Sequence, residues 1–319
     1  MITEQLDTSI KNSKNISLVS HINPDGDTLG SMCGMYCLIN ENYKKKCDMV
    51  IVSKLPSTYE FLPDIKTAHH IEDMDLSREY DLCINLDVAA SDRCADAQVL
   101  FNKSKNTANI DHHETNNAYA KINIINPEAS ATGEVIFDIA KELKWKITKD
   151  AAICLYTAIL TDTGGFKFSN TTPKTMQIAG ELLTYGINPP DIYQKCYETQ
   201  SKDMVLFQCY CVSKAEFLDN DRIAYTVVYK KDLEKFNSNG EDFTDGLTEK
   251  LRAIKTTEVA FVVKELNSNT SKVSMRSKSK DIAKVCARLG GGGHKLAAGA
   301  VIKSNAANAV KIILKELSI

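Results

Sequence analysis

The first half of the chain alternates short apolar runs, rich in β-branched residues, with longer stretches of helical spacing. "ISLVS", "CDMVIVS", "YDLCINLD", "TANI" and "AKINIIN" read as successive strands. "LGSMCGMYCLINEN" and "KDAAICLYTAIL" read as helices, and "SATGEVIFDIAKELKW" places Val135, Ile136, Ile139, Ala140 and Leu143 on one helical face. "TTPKTMQIAGELLTYG" is a further helix, with Pro173 at its start and Gly186 at its end. Strand and helix alternating in this way predict an α/β domain, a mostly parallel sheet flanked by helices. The pattern breaks at Pro189 and Pro190, after which a long helical stretch is expected from about Ile192 to Phe217. Then come "RIAYTVVY", "EVAFVVKEL", a turn at "NSNTS", "KVSMRS", the helical "DIAKVCARL", a glycine run, "AAGAVI" and a last helix. That order suits a smaller α+β domain. The expected organisation is a first domain over 1–188, a helical linker over 189–217 and a second domain over 218–319.

Composition narrows the partners. A chain of 319 residues with 43% apolar and 25% charged positions is an ordinary globular protein with room for two cores. A formal net charge of −2 argues against wrapping long duplex nucleic acid, which demands a strongly basic face. A small anion in a local basic pocket remains open. The N-terminal stretch is polar, unlike a signal peptide, and no apolar run approaches the roughly 18 residues of a membrane span. The ten cysteines lie mostly inside apolar runs, so reduced thiols and a cytoplasmic location are expected, with no membrane partner. Cys209 and Cys211 read as packing residues, Trp145 as a core edge, and His69 and His70 as surface residues in a polar connection.

Candidate chemistry gathers where the predicted apolar runs end. His21, Asp25 and Asp27 crowd the loop "SHINPDGDTLGS"; Asp87 ends "CINLD"; Asp111, His112 and His113 follow "TANI"; Asp162 lies in "ILTDTGGF". In open parallel sheets, ligands bind at the carboxyl ends of strands. A single acid there is often only a cap, but four such placements point to one site. Crowded carboxylates repel unless a cation sits among them. Carboxylates and imidazoles without thiolate suit manganese or magnesium better than a structural zinc, and the supply is large enough for two divalent ions, expected to be Mn2+ with Mg2+ as the alternative. His21 and Asp25 could hold one ion, and Asp27, His112 and Asp162 the other, with Asp87 bridging. Two ions so placed would activate a water and steady the attacking and leaving oxygens of a phosphoryl transfer. The run "GGGGH", containing Gly291, Gly292, Gly293 and His294, reads as a loop whose amides approach an anion. Arg276 and Ser277 in "VSMRS" offer a guanidinium fork and a hydroxyl to the same group, and Lys167 is a second candidate contact to phosphate.

"HINPDGD", "NLD", "DHH" and "TDTGGF", in that order, resemble the motifs of the DHH phosphoesterase superfamily, and "VSMRS" with "GGGGHKLAAG" resembles its DHH-associated domain. The resemblance covers nearly the whole chain and is strongest to the branch that degrades short oligoribonucleotides and dephosphorylates pAp. It implies the metal ligands His21, Asp25, Asp27, Asp87, His112 and Asp162. It further implies that Asp111 orients the neighbouring metal-bound histidine and that His113 faces the scissile phosphate. A terminal phosphate held by the glycine run would then measure out a short substrate. Di- to tetraribonucleotides cut to mononucleotides, and pAp converted to AMP, are the implied reactions. A homodimer is implied as well, and faces such as "EVIFDIA" could support it. Other readings are a phosphodiesterase of linear or cyclic dinucleotides, a family II pyrophosphatase (which should lack "GGGGH") and a non-catalytic nucleotide sensor.

Overall fold

Strand β1 (Ile16–Val19) is buried along its whole length, as is β4 (Leu82–Leu86) beside it, because both run through the middle of a sheet covered on two faces. They belong to a computed structural model that describes residues 1–236 and 242–317. The chain divides into two units, Met1–Thr199 and Gln200–Ile319.

In the first unit, β2 (Asp48–Ile51), β3 (His69–His70), β5 (Asn106–Asp111) and β6 (Ile122–Ile125) complete a six-stranded sheet of order β3-β2-β1-β4-β5-β6. Every pairing in it is parallel. Its helices are α1 (Ile2–Asn12), α2 (Gly26–Tyr43), α3 (Gln98–Lys103), α4 (Thr132–Glu142), α5 (Lys149–Asp162), α6 (Pro173–Leu183) and α7 (Pro189–Tyr197). One apolar core takes residues from α1, α2, α4, α5 and the sheet, among them Leu6, Leu18, Leu38, Ile84, Ile136 and Leu155.

The second unit holds α8 (Lys202–Ser213), β7 (Glu216–Leu218), β8 (Ile223–Val228), α9 (Lys230–Lys235), α10 (Leu247–Arg252), β9 (Val259–Asn267) and β10 (Thr270–Ser277). It continues with α11 (Ile282–Arg288), β11 (Gly292–His294), β12 (Ala297–Ile302) and α12 (Ala306–Glu316). The sheet order is β11-β12-β10-β9-β8-β7, mixed because β8 and β9 are parallel while the other pairs are antiparallel. The α/β class and the smaller mixed second unit match the sequence reading, and so does the turn between β9 and β10.

Several elements differ from expectation. The polar N-terminal segment forms α1, because Leu6 and Ile10, four apart, are both fully buried against the core. His69 and His70 form the edge strand β3, paired with Val50 and Ile51. The long helical stretch expected from about Ile192 to Phe217 is made of two helices, α7 and α8, with Ser201 capping the second through the amide of Met204. Phe217 lies in β7 instead. The glycine run is partly strand β11. All ten cysteines are free, eight of them buried. Trp145 is 8% exposed and packs edge-on against Tyr43. Among the described residues, no helix is long and apolar enough to cross a membrane.

Candidate active site

The strand order reverses between β1 and β4, and the loops leaving those two strands border the crevice that such a reversal opens. His21, Asp25 and Asp27 follow β1, Asp87 follows β4, and Asp111 closes β5 just before His112 and His113. Asp87 takes the left-handed backbone conformation, at φ 61°, a region that aspartate tolerates better than most residues. Asp162 comes from elsewhere, as the last residue of α5. Its arrival depends on Gly26, Gly30 and Gly34 along one stripe of α2. A Cβ on them would lie 2.4 Å from Thr161 Oγ1, 2.6 Å from the Cys154 carbonyl oxygen and 2.8 Å from Leu155 Cδ2. Helices α2 and α5 therefore pack with minimal separation, and the C-terminal end of α5 lies beside the first turn of α2, which carries Asp27.

The side chains converge around Asp87. His112 Nε2 is 3.7 Å from an oxygen of each of Asp27, Asp87 and Asp162. On the other side, His21 Nε2 is 3.5 Å from Asp87 Oδ2. The ligand atoms of His21, Asp25 and Asp87 lie within 4.8 Å of one another, as do those of Asp27, His112 and Asp162. Such separations are long for hydrogen bonds. They suit donors gathered around an ion, since two ligands each about 2.1 Å from one centre stand roughly 3 to 4 Å apart. Asp87 turns Oδ1 toward His112 and Oδ2 toward His21, and so reaches both groups. The donor set, nitrogen and oxygen without thiolate, fits divalent metal. Asp87, His112 and His113 form a third grouping, but His113 Nδ1 already bonds Asp111 Oδ1 at 2.7 Å.

Neutral groups hold this array. The Thr28 hydroxyl stands 2.7 Å from both His21 Nε2 and Asp87 Oδ2. Asp27 accepts the amides of Thr132 at 2.7 Å and Gly133 at 3.0 Å, and Asp87 accepts the Thr132 hydroxyl at 3.1 Å. His112 Nδ1 lies 3.2 Å from the Ala129 carbonyl, which turns Nε2 toward the acids. Sequence reasoning expected Asp111 to orient the His112 ring. It reaches only the His112 backbone amide, at 2.8 Å, and its carboxylate serves His113 and Asn116 instead. Asn170 Nδ2 bridges Asp162 Oδ2, at 3.4 Å, to the Ser130 carbonyl, at 3.0 Å. Thr28, Asn116, Thr132 and Asn170 escaped sequence reasoning because none titrates. The available signal, for Thr132 alone, was the run of small residues "SATG" that leads into α4.

Crowding sets the electrostatics. Burial, with Asp87 and Asp162 nearby, raises Asp27 well above the usual carboxylate range. Burial pushes Asp162 up to about 6, against the pull of His112. For Asp87, burial is outweighed by His21, His112 and His113, which hold it low. The Asp111 bond raises His113 to about 9 against burial. Carboxylates that raise one another in this way favour a divalent cation between them.

The remaining predicted contacts lie outside this array. Lys167 is exposed, its ammonium 5.4 Å from the Phe168 ring centre. In the second unit, Arg276 donates through Nε to Glu249 Oε1 at 2.6 Å and through Nη1 to the Met275 carbonyl at 3.0 Å. Ser277 is fully buried, and its hydroxyl is donated to the Lys280 carbonyl rather than displayed to a ligand. Gly292, Gly293 and His294 are exposed in β11 and pair with Gly299, Ala298 and Ala297. Gly291 and Gly293 are needed for strand approach, since a Cβ there would lie 2.1 Å from the Gly299 oxygen and 2.6 Å from the Ala297 oxygen.

Residues 15–159 match the family described as DHH family, N-terminal domain, and residues 221–318 match the DHHA1 domain. The chain is 30% identical to the bifunctional oligoribonuclease and PAP phosphatase NrnA of Bacillus subtilis, over 91% of this chain and 90% of that protein. It is 32% identical to the probable bifunctional oligoribonuclease and PAP phosphatase NrnA of Streptococcus mutans, over 94% and 93%. Among solved structures, an exopolyphosphatase-related protein from Bacteroides fragilis matches with a TM-score of 0.92 at 26% identity, over 99% of this chain and 95% of that one.

Proposed function

The chain belongs to the DHH phosphoesterase family, with a DHHA1 domain as its second unit, and on that footing we propose that it hydrolyses very short oligoribonucleotides to mononucleotides and pAp to AMP, using two divalent ions, manganese by preference. The observation that carries the reading is a pair of ligand groups, His21 with Asp25 and Asp27 with His112 and Asp162, between which Asp87 stands with one oxygen near His21 and the other near His112. The printed functions of the Bacillus subtilis and Streptococcus mutans relatives supply the substrate class. Bound there, the ions would supply a nucleophilic water at neutral pH and charge neutralisation for the attacked phosphate.

The chain's own residues do the rest. His21 and Asp25 would hold one ion and Asp27, His112 and Asp162 the other, with Asp87 common to both. His113, its Nδ1 fixed on Asp111, keeps Nε2 for the substrate. The bond to Asp111 raises its pKa and so favours the protonated ring. Nε2–H would then donate to a phosphate oxygen and pass its proton to the leaving sugar oxygen. Arg276 and the exposed strand Gly292–His294 would take a terminal phosphate, and Lys167 a further one. Ser277, buried with its hydroxyl donated to the Lys280 carbonyl, is left out of this proposal.

The test is a timed product profile with manganese on an end-labelled tetraribonucleotide, pApA, pAp and pyrophosphate, for the natural protein and Asp87→Ala. Stepwise mononucleotide release and AMP from pAp, both lost in the variant, are expected. Turnover of pyrophosphate alone would replace this reading with that of a pyrophosphatase. Nucleotide binding without any product would make the protein a sensor.

A further inference from the structure

Glu134 is a carboxylate that the array around Asp87 does not use. It lies in the first turn of α4, 1% exposed. Its Oε2 accepts the Ser130 amide at 3.2 Å, the Ser130 hydroxyl at 2.8 Å and the Thr175 hydroxyl at 3.0 Å, while Lys174 Nζ stands 3.7 Å from Oε1. One carboxylate thus joins the segment before α4 to the first turn of α6.

That segment, 129–133, touches the metal-ligand array repeatedly. The Ala129 carbonyl meets His112 Nδ1, the Thr132 and Gly133 amides hold Asp27, and the Thr132 hydroxyl meets Asp87. The Ser130 carbonyl holds Asn170, which reaches Asp162. Four of the six candidate ligands are therefore oriented through five consecutive residues, and Glu134 fixes Ser130 within them. A shift there moves several ligands at once, and outer partners of metal ligands are worth about 10- to 100-fold in affinity or activity.

We infer that Glu134 is a positioning residue for the metal centre: by binding Ser130 and Thr175 together it sets the register of segment 129–133 against Asp27, Asp87, His112 and, through Asn170, Asp162. The inference rests on the proposed metal centre. Removing the carboxylate leaves the buried Ser130 amide without its acceptor and frees the segment to move. Glutamine keeps one acceptor oxygen and so restores part of the effect.

Manganese titration by calorimetry, alongside kcat and KM on pAp, tests this with Glu134→Ala, Glu134→Gln, Thr175→Val and, as a destabilised control on another element, Leu6→Ala in α1. Glu134→Ala should lose about 10- to 100-fold in manganese affinity and lower kcat more than it changes KM. Glu134→Gln and Thr175→Val should fall between it and the natural protein, and Leu6→Ala should bind manganese normally. Natural affinity in Glu134→Ala, or an equal loss in Leu6→Ala, overturns the inference. If Glu134→Ala does not fold, natural affinity in Thr175→Val overturns it. If the natural protein takes up no manganese, the reading of the centre fails and this inference with it; failure in the variants alone leaves that reading intact.

Discussion

Gly30 and Cys154 meet where α2 crosses α5: a Cβ on Gly30 would lie 2.6 Å from the Cys154 carbonyl oxygen and 2.9 Å from the Ala158 nitrogen. Both atoms are helix backbone, so no flexible side chain can swing aside. Gly30→Ala must push the helices apart, at a cost of about 1–3 kcal/mol. Because Asp162 ends α5 and Asp27 begins α2, the same shift separates two candidate ligands. A lower thermal midpoint and a smaller rise on adding manganese are expected from melting curves. An unchanged midpoint would show that the approach is not constraining.

A substitution at His113 would tell ligation from proton transfer. With Nδ1 committed to Asp111, His113→Ala should keep the manganese-induced rise in melting temperature yet lose about 10²- to 10⁴-fold in kcat. Loss of that rise as well would make His113 a metal ligand, in the grouping it shares with Asp87 and His112.

Arg276 should act on binding more than on chemistry. Its guanidinium is already oriented by Glu249 through Nε and by the Met275 carbonyl through Nη1, which would leave Nη2 for a phosphate. Arg276→Met should raise KM for pAp and dinucleotides about tenfold or more with kcat nearly unchanged, a loss near 1.4 kcal/mol. A fall in kcat at constant KM would contradict a purely binding role.

Asp232 gives the second unit a pH-dependent prop. It is 4% exposed and accepts from Lys214 Nζ at 2.9 Å, Tyr210 Oη at 3.1 Å and the Tyr229 amide at 3.1 Å. Burial alone would raise its pKa, but the Lys214 and Tyr229 bonds outweigh it and hold it low. A carboxyl lowered on folding stabilises above its unfolded pKa of about 3.9, and that contribution fades as pH falls through the folded value. Asp232→Asn should therefore cost about 1–3 kcal/mol at pH 7, with the gap closing below about pH 4. Denaturant melts of both proteins across that range check it; a pH-independent gap would assign the loss to packing.

Periodicity alone located β1, β4 and β5 and the helices around them, and with them the ends at which His21, Asp87 and His112 stand. Parallel strands buried on both faces write short, nearly unbroken apolar runs, and titratable residues stand out where those runs stop. Sequence could not show α1, whose two core contacts, Leu6 and Ile10, are scattered through polar residues, nor β3, whose two residues acquire strand geometry only by pairing with β2. Nor could it assign Asp111 to the ring of His113 or place Ser277 inside the second unit, since both depend on which groups packing brings within reach. The residue types fit for metal were legible in the chain because they titrate. Their arrangement around Asp87 was decided by tertiary structure, through close packing of α2 on α5 and through backbone amides and hydroxyls that carry no charge for a sequence to reveal.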